Sequence, residues 1–106
     1  MLEQNNILAF KLNDATYLAR LRLILDGGSI AYTHHAKSRM RLRKVSAQQV
    51  LKCLQFGKIF EPAHITIKGS WKATLAYYTG GDLIQVAAAI STNKQGDFVL
   101  IVTVIT

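Results

Sequence analysis

The segment from Tyr32 to Lys44 holds the residue types best suited to chemistry. On a helix, His35, Arg39 and Arg43 are four residues apart and form one line, which we call the His35 column. Histidine can serve as a base or an acid near neutral pH, and the planar arginine fork donates two hydrogen bonds to one phosphate. RNA can be cut by its own 2′-hydroxyl when a base, an acid and cations surround the phosphorus. The column therefore predicts metal-independent cleavage of RNA.

The same helix carries a second basic line, the Lys37 column, made of Lys37, Arg41 and Lys44. Like charges one turn apart destabilise an isolated helix by roughly 0.2–0.5 kcal/mol each, so this helix is stabilised by binding an anion. A second interpretation therefore stays open, in which the basic helix 34–44 binds RNA, DNA or an acidic partner without catalysis. His35 is then a helix-start residue that a local hydrogen bond satisfies.

The distribution of charge also indicates an anionic partner. The chain of 106 residues has 13 Lys or Arg, 6 Asp or Glu and a formal net charge of +7. Seven of the basic residues lie between residues 27 and 60, where no acidic residue occurs, and the rest of the chain is neutral. A positive field concentrated in one segment favours a polyanion such as RNA, or an acidic protein.

Composition excludes several other classes of protein. Half of the residues are hydrophobic and 18% are charged, which excludes intrinsic disorder. The longest apolar run, Phe98 to Ile105, is far shorter than the roughly 18 residues of a membrane span, and the start at Met1 lacks the basic stretch of a secretory signal. The single cysteine, Cys53, is expected to be a small buried hydrophobe, and its inability to form an internal disulfide fits a cytoplasmic protein.

The spacing of the chain predicts neither a metal site nor a cofactor site. His34 and His35 are adjacent and point in different directions on a helix, and no carboxylate cluster accompanies them. The glycine pairs of the chain lack the sequence context of a phosphate-binding loop. His64 stands alone in a different element and is not expected to contribute to cleavage.

Apolar spacing of three and four residues predicts helices in the first half of the chain. These helices are expected over residues 14–26, 34–43 and 46–56. Ser46 and Gln49 have the spacing of a capping box at the start of the third helix. Residues 29–33 are expected to form an extended link, and residues 6–12 fit a strand or a helical turn equally well.

After Gly57 the apolar spacing changes to every second residue, which predicts strands. Short extended runs are expected over residues 58–61, 65–68, 71–79, 83–91 and 98–105. Tight turns between neighbouring runs indicate antiparallel pairing, because parallel strands need long crossovers. The predicted fold is therefore a single α+β domain over residues 1–106, with N-terminal helices packed on an antiparallel meander sheet of about four strands.

The strands also predict two different faces of the sheet. One side of the run 83–91 is a bulky apolar row suited to packing on helices: Ile84, Val86, Ala88 and Ile90. Its other side is a row of smaller side chains: Gln85, Ala87, Ala89 and Ser91. On the neighbouring run, one side carries Lys72, Thr74, Ala76 and Tyr78. If this side adjoins the small row, the sheet has a shallow groove with a cation and hydroxyls along it. Lys72 and Tyr78 are therefore predicted to contact nucleic acid, together with the Lys37 column.

A longer residue string supports a family resemblance. The string His35-Ala36-x-x-Arg39-Met40-x-x-Arg43-x-Val45-Ser46 is followed by a helix ending at Gly57, by a sheet and by the closing run Val102-Thr103-Val104-Ile105. In this string and this order, the sequence resembles a family of small uncharacterised bacterial proteins with an HAxxRMxxR motif. That family is placed in the barnase–EndoU–colicin–RelE-type superfamily, which contains many metal-independent ribonuclease toxins. The resemblance covers residues 29–106.

The resemblance implies a ribonuclease-toxin-like fold and a set of site residues. Members of the superfamily commonly use a helical histidine, basic residues and a hydroxyl residue on the last strand. The matching positions are His35, Arg39, Arg43 and Thr103. A toxin-type endoribonuclease of this kind is expected to have an acidic antitoxin-like protein as a partner. Residues 1–28 form an N-terminal extension with its own helix, which the commonest toxin layout lacks. This helix is expected to be a dimer surface, a partner surface or a lid on the core.

Overall fold

The computed structural model of the chain describes residues 13–106. Residues 1–12 lie outside this range. The two alternatives for residues 6–12, the expectation about a secretory signal and the first part of the N-terminal extension all concern these residues. The described range contains three helices and a five-stranded sheet, and four of the five strands come after the last helix. This arrangement confirms the predicted α+β fold class.

The three helices lie where the apolar spacing predicts them. Their bounds are Asp14–Asp26 for α1, His34–Arg43 for α2 and Ala47–Phe56 for α3. Each begins after a polar side chain that accepts a hydrogen bond from a backbone N–H of the first turn: Asn13, Thr33 and Ser46. α2 ends at Lys44, whose φ of 57° is left-handed. None of these three helices combines the length and the apolar composition needed to cross a bilayer.

The predicted capping box at the start of α3 is confirmed. Ser46 Oγ accepts a hydrogen bond from Gln49 N (3.1 Å), and Gln49 Oε1 accepts one from Ser46 N (2.9 Å). At the other end, a Cβ atom on Gly57 would collide with the Cys53 carbonyl oxygen and would lie 2.8 Å from that of Ala76. The chain therefore needs glycine where it passes from α3 into the sheet.

The strands of residues 13–106 form one mixed sheet. Their bounds are Ile30–Tyr32 for β1, Lys58–Ile65 for β2, Trp71–Thr79 for β3, Asp82–Asn93 for β4 and Gly96–Ile105 for β5. The spatial order is β1-β5-β4-β3-β2, in which β2 to β5 are the predicted antiparallel meander. β1 lies parallel to β5, so the segment predicted as an extended link is a fifth strand. Its three residues are too few for a spacing pattern to reveal.

β2 differs from the predicted pair of short runs separated at Pro62. Residues 58–65 form one strand, and its register against β3 shifts on both sides of Glu61. Pro62 is tolerated because β2 is an edge strand, where a missing N–H need not interrupt a ladder. Most of the predicted run 65–68 belongs instead to the turn between β2 and β3.

The helices pack on one face of the sheet, and the core lies between them. From the sheet, the fully buried side chains are Leu75, Ile84, Val86, Ala88, Val99, Ile101 and Val104. From the helices, they are Tyr17, Leu21, Ala36, Val50, Cys53 and Leu54. α1, expected as a partner surface or a lid, is thus part of this core. Ala47, in the first turn of α3, is exposed and lies outside this core.

Candidate nucleic-acid interface

The sheet face opposite the three helices, which we call the open face, is organised in cross-strand rows. The pairing register aligns one residue from each of the five strands, in the order Ala31, Leu100, Ala89, Lys72 and His64. We call this line the His64 row. Directly opposed residues point to the same face, so His64 and Lys72 share the open face with the small residue Ala89. With strands about 4.8 Å apart, the row is about 19 Å long.

A second line, the Thr103 row, lies beside the first and contains Thr103, Ala87, Thr74 and Glu61. The Thr74 hydroxyl donates to Glu61 Oε1 (2.9 Å). Thr74, Ala87 and Ala89, at the centre of these rows, are only 6%, 5% and 3% exposed. The two rows confirm that the small side of β4 adjoins the side of β3 that carries Lys72.

A groove of about 590 Å³ lies over the His64 row. Thr33 lines it at the start of α2, Leu100 and Val102 line it from β5, and Ala89 forms part of its floor. At the far end the β2–β3 hairpin contributes five polar residues: His64, Thr66, Lys68, Ser70 and Lys72. The groove therefore has a mostly apolar floor and a basic end.

The start of α2 is tied to β5 at the other end of the groove. Thr33 N donates to the Ile101 carbonyl (3.0 Å), and the Thr33 hydroxyl donates to the Val102 carbonyl (3.0 Å). The same hydroxyl oxygen accepts a hydrogen bond from Ala36 N (3.0 Å). One side chain thus caps α2 and anchors it, which holds the first turn, with His35, beside Val102.

Thr103 lies next to this anchor on the open face. It pairs with Ala87, whereas the following residue of β4, Ala88, pairs with Ile101, so Val102 is the extra residue of a β-bulge. Val102 lines the groove, and Thr103 is half-buried beside it. The fold therefore brings the helical turn with His35 and the strand position of Thr103 to the same end of the groove.

The two basic columns of α2 lie on opposite flanks of its buried stripe. Ala36 is fully buried, and at about 100° per residue His35 and Arg39 fall on one flank while Lys37 and Arg41 fall on the other. His35 is exposed and Arg39 is half-buried. Arg43, two turns beyond His35, is exposed near the end of α2.

The Lys37 column borders a different concavity. Lys37 and Arg41 line a hollow of about 250 Å³ together with Tyr32, Met40 and Ala47. Lys44 lies beyond α2 because its left-handed backbone ends the helix. Tyr32, half-buried in this hollow, has its phenol pKa raised by desolvation.

The two sheet residues predicted to contact nucleic acid are separated. Lys72 is half-buried and lines the groove. Tyr78 is 72% exposed and pairs with Leu83 at the opposite end of β3, next to the β3–β4 turn. A ligand in the groove would therefore contact Lys72 and not Tyr78.

Comparison with known proteins identifies the family. A family model described as a domain of unknown function, DUF4258, matches residues 32–106. The chain belongs to the DUF4258 family. The match confirms that the chain belongs to a small uncharacterised family, whose core was expected over residues 29–106. α1 precedes the matched region. Comparisons with curated proteins and with solved structures give no match.

The cations of the DUF4258 region differ from those of α1 in their partners. Arg20 forms an ion pair with Asp97 (2.7 Å), and Arg22 donates to the carbonyls of Leu54 and Gly57 (3.0 and 2.9 Å). The seven bases between residues 37 and 58 make no ion pair with another described residue. The cations of α1 therefore stabilise the fold, whereas those of α2 and α3 are available to an anion.

His64 and Lys68 are groove residues of the DUF4258 region that the sequence did not indicate. His64 was expected to stand apart, because Pro62 was interpreted as the end of a strand. The irregular register of β2 brings His64 directly opposite Lys72. An edge strand with two register shifts has no regular alternation, so the sequence holds no simple signal for this pair.

The groove offers acid–base and electrostatic chemistry. Within residues 13–106 no group of three or more His, Cys, Asp or Glu side chains is arranged to hold a metal ion. His35 and Thr103 are not among the residues that line the groove; His35 lies two residues after the lining residue Thr33, and Thr103 directly follows the lining residue Val102. The polar groups that do line the groove include His64, the hydroxyls of Thr33 and Ser70, and the ammonium groups of Lys68 and Lys72. Such a set suits an anionic ligand whose charge increases during a reaction.

Proposed function

We propose that this DUF4258 protein is a metal-independent endoribonuclease of toxin type that cleaves RNA through attack by the 2′-hydroxyl. The observation that carries the proposal is the double hydrogen bond of the Thr33 hydroxyl, which holds the first turn of α2 against β5 at the end of the open groove. An exposed histidine, His35, is thereby placed beside a groove whose other end is basic. A cytoplasmic location, where RNA is abundant, is part of the same proposal.

In the proposed reaction, His35 accepts the proton of the 2′-hydroxyl as its oxygen bonds to the adjacent phosphorus. The bond between phosphorus and the 5′-oxygen breaks, and water in the open groove protonates the leaving oxygen. One product ends in a 2′,3′-cyclic phosphate and the other begins with a 5′-hydroxyl. His35 then releases its proton to solvent.

Three side chains and the N-terminus of α2 would stabilise the charge that develops on the phosphoryl oxygens. Arg39 and Arg43 supply guanidinium donors on the same helix as His35. Thr103 supplies a hydroxyl on the open face, which donates to the phosphate and orients it. The N-terminus of α2 adds its partial positive charge at the same end of the groove.

Placement of the DUF4258 family in the barnase–EndoU–colicin–RelE-type superfamily belongs to this proposal. It is supported by the order of elements, in which α2 and α3 are followed by the antiparallel meander of β2 to β5. It is also supported by the residue string from His35 to Ser46. Function belongs to the site and not to the fold, so the proposal stands or falls with His35.

The second candidate function is binding without catalysis, in which helix 34–44 holds RNA, DNA or an acidic protein such as an antitoxin-like partner. The observation that favours it is that no other described residue orients the His35 side chain by a hydrogen bond; the local hydrogen bond that was expected for His35 is also absent among these residues. A catalytic base is usually oriented by a partner, as in a triad. Binding needs only the unpaired cations of α2.

The test is incubation of the purified protein with total RNA in EDTA, beside two single variants. His35→Ala should lower the cleavage rate by about 10²- to 10⁴-fold, the usual effect of removing one acid–base group. His34→Ala is the matched control, because it removes the adjacent exposed histidine from the same turn and should leave the rate unchanged. Circular dichroism verifies that both variants fold.

Equal rate reductions in the two variants, or cleavage only when magnesium is added, would contradict the proposed mechanism. If the wild-type protein binds RNA and does not cut it, the second candidate function replaces the first.

A further inference from the structure

The basic end of the groove takes no part in the proposed reaction and still has the composition of an anion site. His64 and Lys72 stand opposite each other on β2 and β3. Lys68 and Ser70 line the same end from the hairpin. The start of α2, where cleavage is proposed, lies at the far end of the His64 row.

We propose that His64 and Lys72 form a second phosphate subsite, and that a single strand of RNA crosses the open face along the His64 row between the two ends. The inference rests on the proposed function, because it concerns the strand that would be cut. It assigns to His64 and Lys72 the binding of a phosphate that is not the one attacked.

The length of the row supports an occupant longer than one nucleotide. Three strand spacings separate His64 from Leu100, the last residue of the row that lines the groove, which is about 14 Å. One nucleotide of a stacked strand advances about 3.4 Å, so a strand that reaches both ends contains several nucleotides. Phosphates at the two ends would therefore belong to different nucleotides.

The floor between the two ends fits unpaired bases. Ala89 is a short side chain in the floor, and Leu100 and Val102 give the groove an apolar wall. Unpaired bases can bring their apolar faces into contact with such a wall, whereas a duplex would present mainly its backbone. The site therefore favours single-stranded over double-stranded RNA.

The charges near the subsite also favour an anion. Lys72 makes no ion pair with another described residue and is half-buried where it lines the groove. Glu61 lies on the same strand as His64, and the Thr74 hydroxyl donates to its carboxylate. A second carboxylate, that of Asp14, accepts a hydrogen bond from the backbone N–H of Ala63, the residue before His64 (2.8 Å). The residues that line this end of the groove include two lysines and one histidine and no carboxylate.

Binding can be measured apart from cleavage with a labelled 2′-O-methyl RNA strand, which lacks the attacking hydroxyl. Fluorescence anisotropy at low salt should show that Lys72→Gln weakens binding about tenfold, the value of one charge-assisted hydrogen bond. The slope of log affinity against log salt should become shallower by about 0.7, because the variant neutralises one phosphate fewer. His64→Gln should weaken binding less, and the exposed turn variant Lys94→Gln should bind like the wild type.

A second variant tests the path of the strand without a change of charge. Ala89→Leu enlarges a nearly buried side chain in the floor of the groove, on the face opposite the helices, so it should weaken binding of the single strand. Circular dichroism verifies that the variant folds. A duplex of the same sequence should bind less tightly than the single strand to the wild-type protein.

The outcomes separate this inference from the proposed function. Wild-type affinity in Lys72→Gln, His64→Gln and Ala89→Leu would overturn the second subsite, even if RNA is cleaved. Weaker binding in these variants would support it, even if the wild-type protein cuts no RNA. A wild-type protein that binds no RNA at low salt would overturn both.

Discussion

The two faces of the sheet come from the same strands and differ in the size of their side chains. On the helix-covered face, residues such as Leu75, Ile84 and Ile101 are large and fully buried. On the open face the central positions are Thr74, Ala87 and Ala89, which are short. Alternation along each strand allows one face to stabilise the fold while the other leaves room for a ligand.

A parallel difference separates the cations of α1 from those of α2. Arg20 and Arg22 contact a carboxylate and two backbone carbonyls of the fold. Arg39 and Arg43 have no ion-pair partner among residues 13–106. The stabilising contacts and the available charges thus lie in different parts of the molecule. Substitutions in one part should change stability, and substitutions in the other should change binding.

The largest effect on stability is expected on the covered face. Leu75→Ala removes a fully buried side chain and should lower the free energy of unfolding by about 2–5 kcal/mol. Tyr78→Ala, at an exposed position of the same strand, should change it by less than about 0.5 kcal/mol. Urea unfolding measures both. Similar decreases in the two variants would mean that both faces of β3 contribute to the core.

The available cations of α2 should affect binding and not stability. The double variant Arg39→Ala/Arg43→Ala should weaken RNA binding about tenfold or more at low salt, and its residual affinity should depend less steeply on salt. Filter binding across a salt series measures this, with Lys94→Ala in the β4–β5 turn as control. Binding that does not depend on salt would contradict a phosphate-directed interface.

A smaller effect is expected at the start of α3. Ser46→Ala removes the Oγ that accepts from Gln49 N and should lower the free energy of unfolding by about 0.5–2 kcal/mol. Ser38→Ala, at an exposed interior position of α2, is the control and should be neutral or slightly stabilising. An unchanged urea midpoint in Ser46→Ala would show that the cap does not contribute.

The smallest effect concerns the ion pair between α1 and the start of β5. Hydrogen bonds from Arg20 and then from Thr92 hold the pKa of Asp97 below its usual range. A carboxyl group with a lowered folded-state pKa stabilises the protein above its unfolded pKa, and this contribution disappears as the pH falls through the folded value. The melting temperature of Asp97→Asn should therefore be slightly below that of the wild type at neutral pH, and the two melting temperatures should be equal at strongly acid pH. A difference that persists in acid would contradict the assignment.

Much of the fold was predictable because local signals and packing agree. The capping box at Ser46 predicted the start of α3, which the structure confirms. The alternation along residues 83–91 predicted the two faces of the sheet, which the structure also confirms. β1 was missed because three residues carry no periodicity, and it exists because β5 offers a free edge. β2 was divided wrongly because an edge strand tolerates Pro62.

The candidate site was predictable only in part. The His35 column follows from helical spacing alone, and its position at the end of the groove depends on the anchoring of Thr33 to β5, which spacing cannot show. The role of Thr103 remains a prediction, although its row places it on the open face near His35. His64 was set aside because its neighbour Lys72 is close in space only through an irregular register.

RNA cleavage by 2′-hydroxyl attack is tested most directly by the chemical ends of the products formed in EDTA. The proposed role of His35 predicts 2′,3′-cyclic phosphates at one end and 5′-hydroxyls at the other, which polynucleotide kinase labels without prior phosphatase treatment. These products should be absent with His35→Ala and present with His34→Ala. Products with 5′-phosphates, or products that form only with magnesium, would contradict the mechanism.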